Sequence, residues 1–461
     1  MSTALSADRI KPMAAHVPLR SVRAKSRTPT QDPPAPPSTM HSPHPTPAFS
    51  RALPPLLILA LAMASGFTMM GSFSMVQEGA KAEMAMSDFQ LSLVQGGAAA
   101  VPLLLFSIPI GILVDRLHRL RLLIGLSLVW TVGTLLTAMA QSVPVLFGAR
   151  MLAGIGAAGA LTAALSLSAD ICPPQARGRA LLIVTLGKSL GQGGAFAVTG
   201  WLLGLFLPLR GIADAAPWRA AHYALAAISA ALVLPLLLMR EPARHEVEAG
   251  IHAPWRTVLA ELWTRRAFLG PLFLGQCTVV MADAAASIWA SPVLSRSYGL
   301  APPDFAGWMG SLLFLTGVGG AVLGGFAADW RQKSKRRGGL LLGAVVAAAG
   351  GIPAALFPVM PTVPLFALAL GALMLCGTVT GLVTSVALTV LIPNELRGLC
   401  IGAFIAIAGL IGFGLSPTLV TAISAWLGGE QHLGQALAVV GTAVSLVSVG
   451  AFWQAMRRAP I

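Results

Sequence analysis

From Leu53 to near the carboxyl end, apolar stretches of about 20 residues recur twelve times. They lie at about 53–77, 91–114, 122–141, 145–169, 181–207, 218–239, 267–290, 305–328, 339–357, 364–392, 399–426 and 434–454. At 1.5 Å per residue, each is long enough to cross ~30 Å of hydrocarbon as a helix. In lipid only helices or closed barrels leave no backbone group unpaired. The runs are continuous rather than alternating, which excludes a barrel. The chain reads as an all-α membrane protein with twelve transmembrane helices, numbered here as spans 1 to 12. Charged residues make up 10% of it, where a soluble chain carries about a quarter. Four cysteines in 461 residues exclude a secreted disulfide scaffold.

Charge sets the expected orientation. Of 31 Lys and Arg, 25 fall on the side of the membrane that holds both termini. Four (Lys81, Arg210, Arg219, Arg296) fall opposite, and only Arg150 and Lys188 lie within spans. The positive-inside rule therefore puts both termini in the cytoplasm. Topology and anionic headgroups account for the net charge of +14 without nucleic acid. Residues 1–52, rich in proline and basic residues, read as a disordered cytoplasmic tail and not a signal peptide. Residues 53–239 form one six-helix bundle and 267–456 a second. The polar segment 240–266 links them, and 457–461 form a short cytoplasmic end.

The halves echo each other. Gly111-x-x-x-Asp115-Arg116-x-x-Arg119 follows span 2, and Gly325-x-x-x-Asp329-x-Arg331 follows span 8, 214 residues later. Pro173-x-x-x-Arg177-Gly178 after span 4 returns as Pro393-x-x-x-Arg397-Gly398 after span 10. Duplicated halves with a site between them are a transporter architecture. Asp115 can face the positive amino end of a neighbouring helix. The arginines can hold carboxylates or last-turn carbonyls. Gly111 and Gly325 remove bulk where spans meet. Together with Asp170, these residues are expected to form a gate that makes and breaks contacts on the inner side.

At these residues the sequence resembles the major facilitator superfamily. Gly111 to Arg119 resembles its loop 2–3 motif, and Gly325 to Arg337 its degenerate second copy. Arg150-Met-Leu-Ala-Gly154-Ile-Gly156 resembles its span-4 signature, and Trp218-Arg219 and Glu241-Pro242 flank span 6 as in that family. Asp88-Phe-Gln-Leu-Ser, Asp115-Arg116-Leu-His-Arg119-Leu, Trp130-Thr-Val-Gly-Thr134 and Ser166-Leu-Ser-Ala-Asp170 resemble the spinster-like branch. That branch is linked with lysophospholipids and sphingoid phosphates. The resemblance implies two six-helix bundles related by pseudo-twofold symmetry around a central cavity. Two positions depart from the pattern. Ala157 stands where the family has Glu, and no acid lies between Arg51 and Glu78 in span 1.

Ionisable residues inside a membrane are costly and mark functional positions. Arg150 and Lys188, the latter on a face with Gln192, are expected to bind an anionic headgroup; otherwise Arg150 is a tether to neighbouring carbonyls and Lys188 snorkels. Asp283, on the same face of span 7 as Gln276, is expected to carry a coupling proton, or else to pair with Arg150 or cap an unwound turn. Phe67, Phe73, Trp201, Phe273, Trp289, Phe314 and Phe404 are candidate cavity lining, with Trp289 and Trp426 alternatively interface anchors.

No His or Cys spacing fits a metal, and no phosphate-cradling loop occurs, because position 182 is Leu where Gly is needed. No nucleophile–base pair supports a membrane enzyme. The expectation is a monomeric secondary active carrier in a lipid bilayer, without cofactor. Its substrate is a small organic or amphipathic molecule, lysolipid-like or anionic, and protons are a candidate coupling partner. A proton-coupled multidrug exporter is the alternative. Arg outnumbers Lys 25 to 6, which fits a GC-rich bacterial genome and an inner membrane.

Overall fold

Helices pack densely because small residues line so many of their faces. The computed structural model describes residues 49–172, 176–209, 216–242, 263–332, 339–391, 404 and 406–459. Among them lie twelve helical stretches long and apolar enough to span a membrane, and no strand. The spans are Ala52–Glu83, Asp88–Ser107, Arg119–Met139, Val143–Ile171, Arg177–Leu209, Pro217–Leu237, Arg266–Ser297, Pro302–Trp330, Gly339–Val359, Val363–Val390, Ala406–Trp426 and Glu430–Arg458. Every apolar run identified in the sequence is present as a helix.

Spans 1 and 7 run farther than their apolar stretches, to Glu83 and Ser297. Lys81 and Arg296, expected in loops, therefore sit on the last turns of long helices. An apolar window stops at the first charge, whereas the backbone does not. Asp283 consequently lies 17 residues from one end of span 7 and 14 from the other. That is ~26 Å and ~21 Å along the axis, mid-depth rather than near one end.

With an even number of spans, the start of span 1 and the end of span 12 lie on one side, called here the terminal end; the other is the far end. One core cluster, including Leu59, Leu123, Trp130, Leu167 and Leu225, is confined to the first six spans. A second, including Phe268, Leu341, Val383 and Phe452, is confined to the last six. The largest draws on both: Phe73, Val76, Leu91 and Phe196 pack with Met281, Trp289, Phe305 and Phe366. It joins the halves toward the far end.

Regularity breaks where helices meet. Span 1 is interrupted at Ser72 between two helical segments, Phe49–Gly71 and Phe73–Glu83. Spans 2 and 11 each contain a π-helical turn, Leu93–Gly97 and Leu410–Leu415. These two turns face each other across the halves, with Gly96 against Phe413 and Pro417. Wide turns of this kind concentrate at functional sites. Span 2 begins with a capping box, in which Gln90 N donates to Ser87 Oγ and Ser87 N to Gln90 Oε1.

Candidate functional site

Span 5 positions the central cation. Its helical period of 100° per residue divides its surface into four arcs. Gly187, Gly191 and Gly194 turn to span 1, where a Cβ on Gly191 would come within 2.9 Å of the Ala64 Cα. Ser189, Gly193 and Gly200 turn to span 8, against Gly317, Gly310 and Ala306. One of the intervening arcs carries Leu190 and Trp201, apolar and more than half exposed, and faces lipid. The opposite arc carries Thr185, Lys188, Gln192, Ala195 and Thr199. Ala195 and Thr199, nearer the far end, are buried; Lys188 is half-buried, and Thr185 and Gln192 are exposed. Leu182, on the span-8 face two turns from Ser189 toward the terminal end, is 53% exposed.

Lys188 stands 11 residues into span 5, ~17 Å from its terminal-end start. That is deeper than the apolar run implied, and far for snorkelling. Its ammonium lies 5.4 Å from the ring centroid of Phe67 on span 1. Among the described residues no carboxylate forms an ion pair with it. Gln192, one turn on, shares its arc.

Arg150 behaves differently. It is buried on span 4, and its guanidinium donates to Met69 O at 3.1 Å and to Met70 O. These carbonyls belong to the last turn before the break in span 1, where no later amide reaches them. Phe73 lies 5.5 Å beneath the guanidinium. Ser72 Oγ donates to Met69 O at 3.0 Å and lies 3.3 Å from His222 Nε2. His222 Nδ1 lies 3.0 Å from Trp218 O; a carbonyl only accepts, so Nδ1 carries the proton. Arg150 is thus placed as a tether for a broken helix. No ion pair joins it to Asp283 among the described residues.

Asp283 points away from span 5, into the second half. It lines a small cavity with Val279, Cys376, Gly377, Thr380, Ser445 and Ser448. Its Oδ1 is buried without a hydrogen-bond partner. Gly377 is what admits it: a Cβ there would come within 2.6 Å of the Asp283 Cγ. Gln276, two turns back on the same face, accepts a hydrogen bond from Thr384 at 3.0 Å.

The gate residues divide. Arg119 is buried at the start of span 3 and pairs with Asp170 on span 4. It also donates to Ser166 Oγ at 3.2 Å, to Glu241 Oε1 at 3.3 Å and to Pro242 O at 3.3 Å. Ser166 and Asp170, four apart on one helical face, form a cradle for it. Glu241 accepts from the backbone N–H of Arg119 and Leu120 at 3.1 and 3.3 Å, and pairs with His118. Burial raises the Glu241 pKa, but these amides, the Arg119 guanidinium and the His118 charge outweigh it and hold the carboxyl below its ordinary value. These partners lie at the start of span 3, on span 4 and just after span 6. Arg177 donates to Ala169 O at 3.2 Å. Asp115, Arg116 and Asp329 are exposed. A Cβ on Gly111 would meet nothing within 4 Å, and on Gly325 only Leu382 at 3.9 Å. Among the described residues, no close backbone approach is made at Gly111, and Gly325 meets span 10 only at ordinary contact distance. The Arg331 side chain and Arg397 lie outside the described residues.

A far-end cluster escaped the sequence reading. Arg296, on span 7, donates to Glu78 at 2.7 and 3.1 Å and to Asp88 at 2.6 and 2.7 Å. Lys81 reaches Asp88 at 2.6 Å and pairs with Glu430, and Asp88 N donates to Glu430 at 2.8 Å. Below them Gln77 Nε2 donates to Ile288 O at 2.6 Å. Each of these sets crosses from the first half to the second. Four charges, Glu78, Lys81, Glu83 and Asp88, at the adjoining ends of spans 1 and 2 were the available signal.

The aromatic expectations separate. Phe67 faces Lys188, and Phe314 lies against Gly193. The Phe273 and Phe404 rings lie 5.3 Å apart, tilted at 49°. Trp201 faces lipid, while Phe73 and Trp289 are fully buried core. Trp289 is therefore not an interface anchor, whereas Trp426 is 83% exposed at its span end.

Residues 56–417 match the family profile of the Major Facilitator Superfamily. The fold is similar to a bacterial homologue of the human lysosomal transporter Spinster in its inward-facing, unoccupied conformation (TM-score 0.72, 20% identity, covering 90% of this chain and 98% of that one). In the inward-facing, occupied conformation the TM-score is 0.69 at 22% identity, over 87% and 96%. The nucleoside transporter NupG gives 0.68 at 13%, over 87% and 99%. At these identities the likeness is one of fold. A "Chloramphenicol resistance protein" of Streptomyces lividans is 30% identical over 212 residues, 45% of this chain. The match spans half the length of that relative. A profile that runs through both halves of the twelve-span fold makes this chain a member of the Major Facilitator Superfamily.

Proposed function

We propose that the protein is a secondary carrier that moves an anionic amphipathic solute, lysolipid-like in character, by alternating access across an inner membrane. The carrying observation is Lys188: a mid-depth ammonium without a carboxylate partner among the described residues, on the arc of span 5 between spans 1 and 8. An unpaired charge at that depth is costly, and an anionic headgroup relieves the cost. Phe67 beside it and Gln192 one turn away offer an apolar face and a hydrogen-bonding amide. The far-end contacts, with exposure rising along this arc toward the terminal end, support a state accessible from the terminal side. The Lys and Arg bias supports that side being the cytoplasm. The Arg119 network and its second copy act in this reading as inner-side structure around the gate.

The test is uptake into proteoliposomes of labelled lysolipids, organic anions and drugs, with and without an imposed pH gradient. A charged hydrogen bond contributes about 1.5–3 kcal/mol. Lys188→Gln should therefore lower uptake of an anionic amphiphile about 10- to 100-fold at subsaturating concentration. Transport unchanged in Lys188→Gln, with neutral or cationic drugs as the moved solutes, would reject the headgroup role. It would favour a second reading, a proton-coupled drug exporter, which draws its support from the chloramphenicol-resistance relative.

A further inference from the structure

The cavity beside Asp283 is separate from the Lys188 arc. It lies among spans 7, 9, 10 and 12 of the second half, walled by Ala347, Ala348 and Gly351 on one side and by Thr380, Ser445 and Ser448 on the other. Its volume is about 20 Å³, room for one water-sized particle.

Its wall is mostly apolar, with Asp283, Cys376, Thr380, Ser445 and Ser448 as the side chains that carry polar atoms. An ionised carboxylate only accepts hydrogen bonds. The Thr380 hydroxyl already donates to Gly377 O at 2.8 Å, and Ser448 to Gly275 O at 3.1 Å. Each therefore turns spare lone pairs, not a proton, toward any neighbour. Asp283 Oδ1 has no donor. A carboxylate in this position is costly unless something positive joins it.

We infer that this cavity is a binding site for a single sodium ion, held by the Asp283 carboxylate with the hydroxyls of Thr380, Ser445 and Ser448. One negative charge is balanced by one monovalent cation; a divalent ion would leave a net charge at mid-membrane. Hard oxygen donors suit an alkali cation. Among the described residues no three His, Cys, Asp or Glu gather as a transition-metal site would need. The five oxygens, two from the carboxylate and three from the hydroxyls, suit the smaller coordination shell of sodium better than that of potassium, and Gly377 keeps the space that a Cβ would take. The inference rests on the carrier reading only for what the ion drives, since binding itself requires no transport.

The test uses the full chain, purified in detergent at fixed pH and constant ionic strength, with NaCl exchanged for KCl. Unfolding is followed by tryptophan fluorescence. Sodium should raise the midpoint saturably by several degrees, and potassium should not. Asp283→Asn should abolish the shift. Ser445→Ala and Thr380→Val, which keep the carboxylate, should raise the half-saturating sodium concentration at least tenfold, so the inference remains open to refutation if Asp283→Asn does not fold. Identical melting curves in the two salts, or a sodium shift that survives Asp283→Asn, overturns it. A midpoint that responds to pH but not to sodium assigns the cavity to a proton and also overturns it. Sodium binding in a protein that moves no solute would leave this site standing and remove the carrier reading instead.

Discussion

Arg296→Met tests whether the far-end cluster holds the two halves together. Arg296 makes four N–H···O contacts of 2.6–3.1 Å, two to Glu78 and two to Asp88. The Glu78 side chain is 29% exposed, so that pair is screened and contributes under about 1 kcal/mol. Asp88 is buried, and its hydrogen bonds to a charged donor contribute about 1.5–3 kcal/mol. Lys81 stays within 2.6 Å of Asp88, so the variant leaves no isolated buried charge and falls short of the cost of breaking a lone buried pair. The loss is therefore about 2–4 kcal/mol. It falls only on the conformation in which spans 1 and 2 meet span 7, because the contacts exist nowhere else. That shifts the balance toward far-end opening about 30- to 700-fold. Thr199 is the reporter. It is fully buried on the central arc of span 5, and its hydroxyl has no partner, so Thr199→Cys removes no hydrogen bond. On a background lacking the four native cysteines, a membrane-impermeant maleimide added from the far side should label this cysteine at least tenfold faster with Arg296→Met. A labelling rate within twofold of the parent refutes the lock.

Three further outcomes follow from the geometry. Gly377→Ala should lower stability by about 1–3 kcal/mol, the usual range for overpacking, because its methyl occupies the place of the Asp283 carboxylate; adding Asp283→Ala should recover much of the melting temperature, and failure to recover it would separate the two residues. Glu241→Gln should cost about 1–2 kcal/mol. Since the Glu241 pKa is held below its ordinary 4.5, its contribution is complete above that pH and lost as pH falls through the lower, folded value; the melting difference between wild type and variant should be constant above pH 5 and shrink below about 4. Arg150→Met should cost about 1–3 kcal/mol, because it leaves Met70 O bare while Met69 O keeps the Ser72 hydroxyl, with the KM of any transported solute unchanged, whereas a KM rise would return Arg150 to the substrate site.

The spans and their number were legible because a continuous apolar run has few alternatives in lipid. Arg119, Asp170 and Ser166 were legible because a repeated motif marks position, and a four-residue spacing marks a common face. What the motif could not tell is who the partners are. The motif fits partners in either half; Arg119 meets Asp170 because the start of span 3 packs against span 4. Arg150 and Lys188 look alike in sequence, one cation each in an apolar run. They separate because span 1 breaks at Ser72 and hands its loose carbonyls to one of them. Asp283 was legible as a buried acid, but its direction was not. Its surroundings depend on Gly377, 94 residues away, being small enough to leave space.

These contacts imply where the halves can move. Spans 5 and 8 touch through glycines set against each other: a Cβ on Gly193 would lie 2.5 Å from Gly310 O, and one on Gly310 2.5 Å from Gly193 O. The side chains at this contact are few and mostly small, Ser189, Ala197 and Ala306 with Phe314 beside Gly193, which lets the backbones approach closely. The π-helical turns of spans 2 and 11 meet likewise, with Gly96 against Phe413 and Gly414 against Ala100. Two smooth contacts between the halves, with a charged lock on their far side and the Lys188 arc toward the terminal side, have the parts of a rocker bearing. Arg119 fits the same logic as a brace. It fastens the start of span 3 to span 4 and to the segment after span 6, so that under the proposed alternating access the first half would turn as one body and loss of the Arg296 contacts would open a gap between the halves.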